Sequence, residues 1–166
     1  MTEWRVVQAV APNIIWARYA SAVGLDKMKE TFGEHWPPPS ARPGETVFTF
    51  RDPDEPVVPF DPTGHPAGWL SLTLNQFNPS ICHMSRGVWP EYHRRGLGRD
   101  MRAWAERWCR EHGVEALSIS VYATNHLHLA NVMQDDYWQL DAVEFNPPGF
   151  VFVHLIDAEE VPAADA

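Results

Sequence analysis

Nine of the chain's 15 prolines fall between residues 36 and 68, in "WPPPSARPG" and "DPDEPVVPFDPTGHPAG". Proline has no amide hydrogen to donate, so neither run can sit inside a helix or a hydrogen-bonded ladder. Both must be irregular. Between them only "ETVFTFR" reads as a strand, with Val47, Phe48 and Phe50 set among polar residues.

Outside that region the patterning is regular. "EWRVVQAV" (residues 3–10) reads as a first strand, and Pro12 sits where the opening turn of a helix tolerates it. Residues 13–32 look helical, with a break near Gly24. "GWLSLTLN" carries Leu70, Leu72 and Leu74 on one face, and "QFNPS" turns the chain into a further strand, "ICHMSRGVW". After Gly98 a helix places Met101, Trp104, Ala105, Trp108 and Cys109 on one stripe, and Gly113 supplies its stop. "EALSISVYATN" follows as a buried strand, "HLHLANVMQDDYWQL" as a helix and "FVFVHLID" as the closing strand. The order is strand, helix, three strands, helix, strand, helix, strand. A mixed sheet flanked by helices is the economical packing for it, in one domain over residues 1–158 with a frayed tail at 159–166.

Composition narrows the function. The formal net charge of −9 opposes general affinity for nucleic acid. No apolar run approaches the ~20 residues of a membrane span, and the N-terminus has no signal-like core, so a cytoplasmic protein with no membrane contact is expected. Two cysteines, Cys82 and Cys109, are too few for a disulfide framework. "HLH" at His126 and His128 does not share a helix face and no paired cysteine spacing exists, so no metal site is expected.

Against this acidic background "VWPEYHRRGLGRDM" gathers a histidine and three arginines where a strand becomes a helix. A phosphate-binding Walker loop needs a lysine after its last glycine, and a dinucleotide fingerprint needs a third glycine. Neither fits. A bare helix N-terminus does: its first amides have no internal partner, its dipole attracts anions, and Gly96 and Gly98 let an anion approach the backbone.

This stretch resembles motif A of the GCN5-related N-acetyltransferase (GNAT) superfamily. Val88 and Pro90 match its V-x-P, and Arg95, Gly96, Leu97 and Gly98 match its R-G-x-G end. His93 stands where Arg or Gln is usual, and Arg94 where glycine is common. The resemblance covers nearly the whole chain and is clearest over residues 70–125. It implies an α/β fold whose fourth and fifth strands splay apart around the pantetheine arm of acetyl-CoA. Gly87, Val88 and Trp89 would pair with that arm, the backbone of Arg94, Arg95, Gly96, Leu97, Gly98 and Arg99 would hold the pyrophosphate, and Asn125 would contact the arm.

The implied reaction is direct attack of an amine on the thioester, giving a tetrahedral oxyanion and then CoA thiolate. A backbone amide near Val88 would serve as oxyanion donor and Tyr137 as the acid for the thiolate. The interval from Asn125 to Tyr137 is longer than the family's, and the Tyr-x-x-x-Gly-Phe ending is missing. His83, Ser120, Tyr122 and Glu91 are candidates for a base, as is an ordered water. Trp36, Trp89 and Trp138 are candidates for the border of an acceptor pocket. The expectation is an acetyltransferase, monomer or homodimer, whose acceptor is a small molecule or a protein. The alternative is a non-catalytic acyl-CoA-binding or protein-interaction module on the same fold.

Overall fold

The computed structural model describes residues 3–54 and 66–156; the anticipated tail at 159–166 and part of the second proline-rich run lie outside them. In chain order the described residues form β1 (Arg5–Gln8), α1 (Pro12–Val23), α2 (Leu25–Phe32), β2 (Glu45–Arg51), β3 (Gly68–Leu74) and β4 (Ile81–Val88). They continue with α3 (Leu97–Glu111), β5 (Ala116–Tyr122), α4 (His126–Gln134), β6 (Gln139–Phe145) and β7 (Pro148–Leu155). The strands make a seven-stranded sheet in the order β1-β2-β3-β4-β5-β7-β6. All neighbours are antiparallel except β4 and β5, so the expected mixed, mostly antiparallel sheet flanked by helices is the architecture present.

Gly24 breaks the N-terminal helix as its sequence suggested: its φ of 109° is a conformation that favours glycine, and α1 stops there. The residues read as one long helix after β5 divide instead. Helix α4 ends at Gln134, where Asp135 Oδ1 accepts the Tyr137 amide at 3.0 Å and turns the chain away. The strand that follows, β6, escapes a sequence reading because all seven of its residues are exposed. It joins the sheet by pairing with β7, and leaves no buried-face periodicity to detect.

Register sorts the sheet into two unlike faces. Residues opposite one another share a face, and successive residues alternate. Phe48, Leu70, Leu72, Met84, Leu117 and Phe152 fall on one side, against the buried stripe of Leu97, Met101, Ala105 and Cys109 on α3. Burying Leu97 and Met101 alone stabilises the fold by about 1.5–3 kcal/mol each. The opposite side carries Glu45, Trp69, Ser71, Thr73, His83, Ser85, Gly87, Ser118 and Ser120. Polar groups in such number on an inner sheet face mark a site rather than a core.

Candidate functional site

Strands β4 and β5 pair only over Ile81–His83 and Ala116–Ser118. Beyond that, Met84–Val88 and Ile119–Tyr122 run on without a ladder between them. A cleft of about 620 Å³ occupies the opening. Ser85 and Gly87 line it from one face of β4, and Met84, Arg86 and Val88 from the other, so it passes through the sheet.

Backbone alternation sets what the edge of the gap offers. The Trp89 amide donates to Ala67 O at 2.9 Å, toward β3, which turns the Val88 amide the other way, into the gap. No strand answers it; the Tyr19 hydroxyl does. Burial raises the Tyr19 phenol above its usual range, with the Val88 amide hydrogen bond opposing. The Tyr19 ring sits directly over Gly87, where an added Cβ would come within 2.6 Å of Tyr19 Cζ and 2.4 Å of Trp69 Nε1.

At the far end of β4 the chain passes a short 3-10 turn, Pro90–Tyr92, and reaches α3. Gly96 caps that helix in the left-handed region (φ 77°), and the first helical hydrogen bond runs from the Asp100 amide to Gly96 O at 3.0 Å. The amides of Leu97, Gly98 and Arg99 therefore precede the ladder and have no helical acceptor. A Cβ at Gly96 or Gly98 would meet nothing within 4 Å, so the approach is open. Arg94 and Arg99 are exposed beside it. Arg95 is committed elsewhere, pairing with Asp52 at 3.4 Å and lying over the Trp4 and Tyr92 rings.

The expected cofactor residues are thus placed in two groups: Gly87, Val88 and Asn125 line the cleft, and Arg94 to Arg99 lead into α3. Trp89 is turned inward, 5.0 Å from the Tyr19 ring, and buried. Asn125 stands at the N-terminus of α4 and caps no amide there. Tyr137 lies apart, in the turn after α4 and not among the residues that line the cleft. Its ring stacks on His154 at 3.6 Å, with the Arg102 guanidinium 4.1 Å from its centroid. Burial and the Glu106 charge push its phenol up, and the enclosed hydroxyl meets no acceptor in ordinary hydrogen-bond geometry.

Among the lining residues, Arg86 and Glu45 were not singled out in the sequence, whereas His83 was. Burial lowers the Arg86 guanidinium to about 10, yet it stays charged at neutral pH, held by a 2.6 Å hydrogen bond from Nη1 to Gly98 O. A lone arginine on the apolar face of β4 was the clue available. The Glu45 carboxylate accepts from the Ser71 hydroxyl and from the Arg42 amide at 2.9 Å. His83 faces Ser118 Oγ at 3.2 Å, and burial followed by the Arg42 charge pushes its imidazole down to about 4, with Glu45 opposing. Burial and then Arg86 lower His128 on α4 as well. The indole N–H groups of Trp16 and Trp69, both in the cleft wall, find no acceptor, at a cost of about 1–3 kcal/mol each.

Comparison with known proteins supplies a context. The sequence model of the acetyltransferase (GNAT) family matches residues 25–131. A provisionally described GNAT-family acetyltransferase of Desulfovibrio desulfuricans superposes with a TM-score of 0.67 at 15% identity, over 93% of this chain and 100% of its own. A Bacillus subtilis acetyltransferase solved in complex with CoA gives 0.63 at 12% identity, over 93% and 100%. The ribosomal-protein-S18-alanine N-acetyltransferase of Escherichia coli gives 0.61 at 12% identity, over 96% and 99%. At such identities the likeness is one of fold. No curated protein sequence matches this chain significantly.

Proposed function

Because this chain belongs to the acetyltransferase (GNAT) family, we propose that it is an N-acetyltransferase that moves an acetyl group from acetyl-CoA to a primary amine. The observation that carries the reading is the cleft that crosses the sheet between β4 and β5. The CoA complex of the Bacillus subtilis relative supports the same donor.

The residues present suit that donor. The unpaired amides of Leu97, Gly98 and Arg99, with Arg94 and Arg99 beside them, make an anion site of the kind a pyrophosphate needs. Val88 and Asn125 both line the gap that an extended polar arm would enter; the Val88 amide meets the Tyr19 hydroxyl and its carbonyl lies 3.0 Å from His93 Nε2, so the arm would replace those partners. Arg86 keeps a positive charge in the gap itself. The donor supplies its acetyl group as a thioester, which the amine attacks so that a C–N bond forms and the C–S bond breaks.

An amine must lose a proton to attack. His128, on α4 in the cleft lining, is an acceptor for it, directly or through water; His83 also lines the cleft, but an imidazole pushed down to about 4 is too weak a base for the task. The acid role that family resemblance gives to Tyr137 rests on a residue outside the cleft lining. That placement favours a second reading, an acyl-CoA-binding module without transfer. Calorimetric titration with acetyl-CoA and CoA, followed by thiol-release assays over a panel of amines, separates the two. Saturable binding with release supports the enzyme; binding without release to any amine supports the module; no binding rejects both. Tyr137→Phe then tests the acid: a kcat within about threefold of wild type assigns the proton to another group, and a fall of about 10²-fold or more restores Tyr137.

A further inference from the structure

Resting on the acetyltransfer reading, we infer that the acceptor half of the cleft takes a compact amine with a flat apolar body, stacked on an aromatic wall and anchored at its far end by Glu45.

The wall comes first. Phe32 and Trp36 stack at 4.9 Å and 27°, and Trp36 and Trp69 at 6.0 Å and 23°. Tyr19 meets Trp36 and Trp69 edge-on. Phe32 and Trp36 are only half-buried, and both line the cleft. Near-parallel rings with one open side favour a flat ring laid against them, because offset stacking adds to the area buried.

The anchor lies at the other end. The Glu45 side chain is 3% exposed, and its oxygens accept from Ser71 Oγ and the Arg42 amide, with the exposed Arg42 guanidinium 4.0 Å from Oε1. A carboxylate has about four acceptor positions, so capacity remains for a hydroxyl or amino group on the ligand. Glu45 pairs with Thr73 and Thr73 with His83, which puts Glu45 two strands from β4 and four residues back from Gly87. Sheet spacings of about 4.8 Å and 3.4 Å place Glu45 and Gly87 on the order of 16 Å apart at the backbone. Less the reach of the glutamate, that span suits one ring with a short aminoalkyl arm.

Charge decides against a polycation. On this side of the sheet Lys27 and Arg42 balance Glu45 and Glu144 in the lining. A site for several positive groups would need an excess of carboxylates.

The test uses purified wild-type protein with tyramine, 2-phenylethylamine, hexylamine, spermidine and a lysine-containing peptide. Tyramine is expected to show a KM at least about tenfold below those of hexylamine, spermidine and the peptide. Saturation-transfer NMR with CoA present should place the strongest signals on its ring. Trp36→Ala should raise the tyramine KM about tenfold with CoA affinity unchanged, and Glu45→Gln should raise it more for tyramine than for 2-phenylethylamine, which lacks the hydroxyl. Preference for spermidine or the peptide, or equal KM values across the series, would overturn the inference. Because the ligand series is run on the unmodified protein, it stands even where a variant fails to fold. Acetyl-CoA binding by calorimetry separates the failures. If the donor binds and tyramine is not preferred, only this inference falls; if the donor does not bind, the acetyltransfer reading falls with it.

Discussion

Gly87 and Gly98 are glycine for opposite reasons. At Gly87 the space of a side chain is filled by the Tyr19 and Trp69 rings. Gly87→Ala should destabilise by about 1–3 kcal/mol, read from denaturant midpoints, because neither packed ring can give way freely. At Gly98 the space is empty. Gly98→Trp should therefore leave the melting temperature near wild type while weakening CoA binding by about tenfold or more, by covering the helix amides. A folded Gly98→Trp protein with unchanged CoA affinity would sink the anion-site assignment. His83 gives a pH signature. Its imidazole, ordinarily near 6.5, is pushed down to about 4 in the fold by burial. Between those values the unfolded chain binds a proton that the folded chain refuses, so stability is flat above pH 6.5 and is lost as pH falls toward 4. The loss reaches on the order of 2 kcal/mol by pH 5. His83→Gln should flatten this slope; urea midpoints that track wild type from pH 7 to 5 would refute the assignment.

Helix α3 joins core and site in one element. Its buried stripe fixes it on β3, β4 and β5, the last two of which edge the gap. Arg86 ties α3 to β4 through Gly98 O. A buried guanidinium with a carbonyl partner is costly to desolvate, so its presence here points away from stability. Arg86→Met should keep or raise the denaturation midpoint and weaken CoA binding severalfold, measured calorimetrically. A variant that loses stability and keeps affinity would reassign Arg86 to the core. The sequence showed α3 plainly, because a helix docked on one side writes a 3.6-residue period. Strand β6, exposed on both faces, writes none.

For the whole molecule, the interrupted β4–β5 ladder leaves a gap where a continuous sheet would have hydrogen bonds. A ligand bound there stabilises the folded state by mass action, about 2.7 kcal/mol at a hundredfold excess over Kd. Acetyl-CoA should thus raise the melting temperature by several degrees, and a scan unmoved by saturating acetyl-CoA would count against the cleft as its site. Among the described residues no helix is long and apolar enough to cross a membrane. The α/β class, the β3–β4 hairpin, α3 and its glycine-rich start were legible in the sequence. Each depends on local chemistry: alternation, helical period, or glycine beside a helix start; the role of Gly87 to Trp89 came from family resemblance alone. Of the proposed acceptor wall only Trp36 was singled out in the sequence. Tyr19, Phe32, Glu45 and Trp69 come from α1, α2, β2 and β3, and meet Trp36 only because the helices fold over the polar face of the sheet. Tyr137 shows the converse. Its acid role was implied by family resemblance alone, against an interval from Asn125 longer than the family's, and an aspartate turn ends the expected helix early and leaves the ring packed between Arg102 and His154. Short-range chemistry determined the strands, the helices and the glycine-rich start of α3, while long-range packing, which no local pattern encodes, chose the side chains that face the cleft.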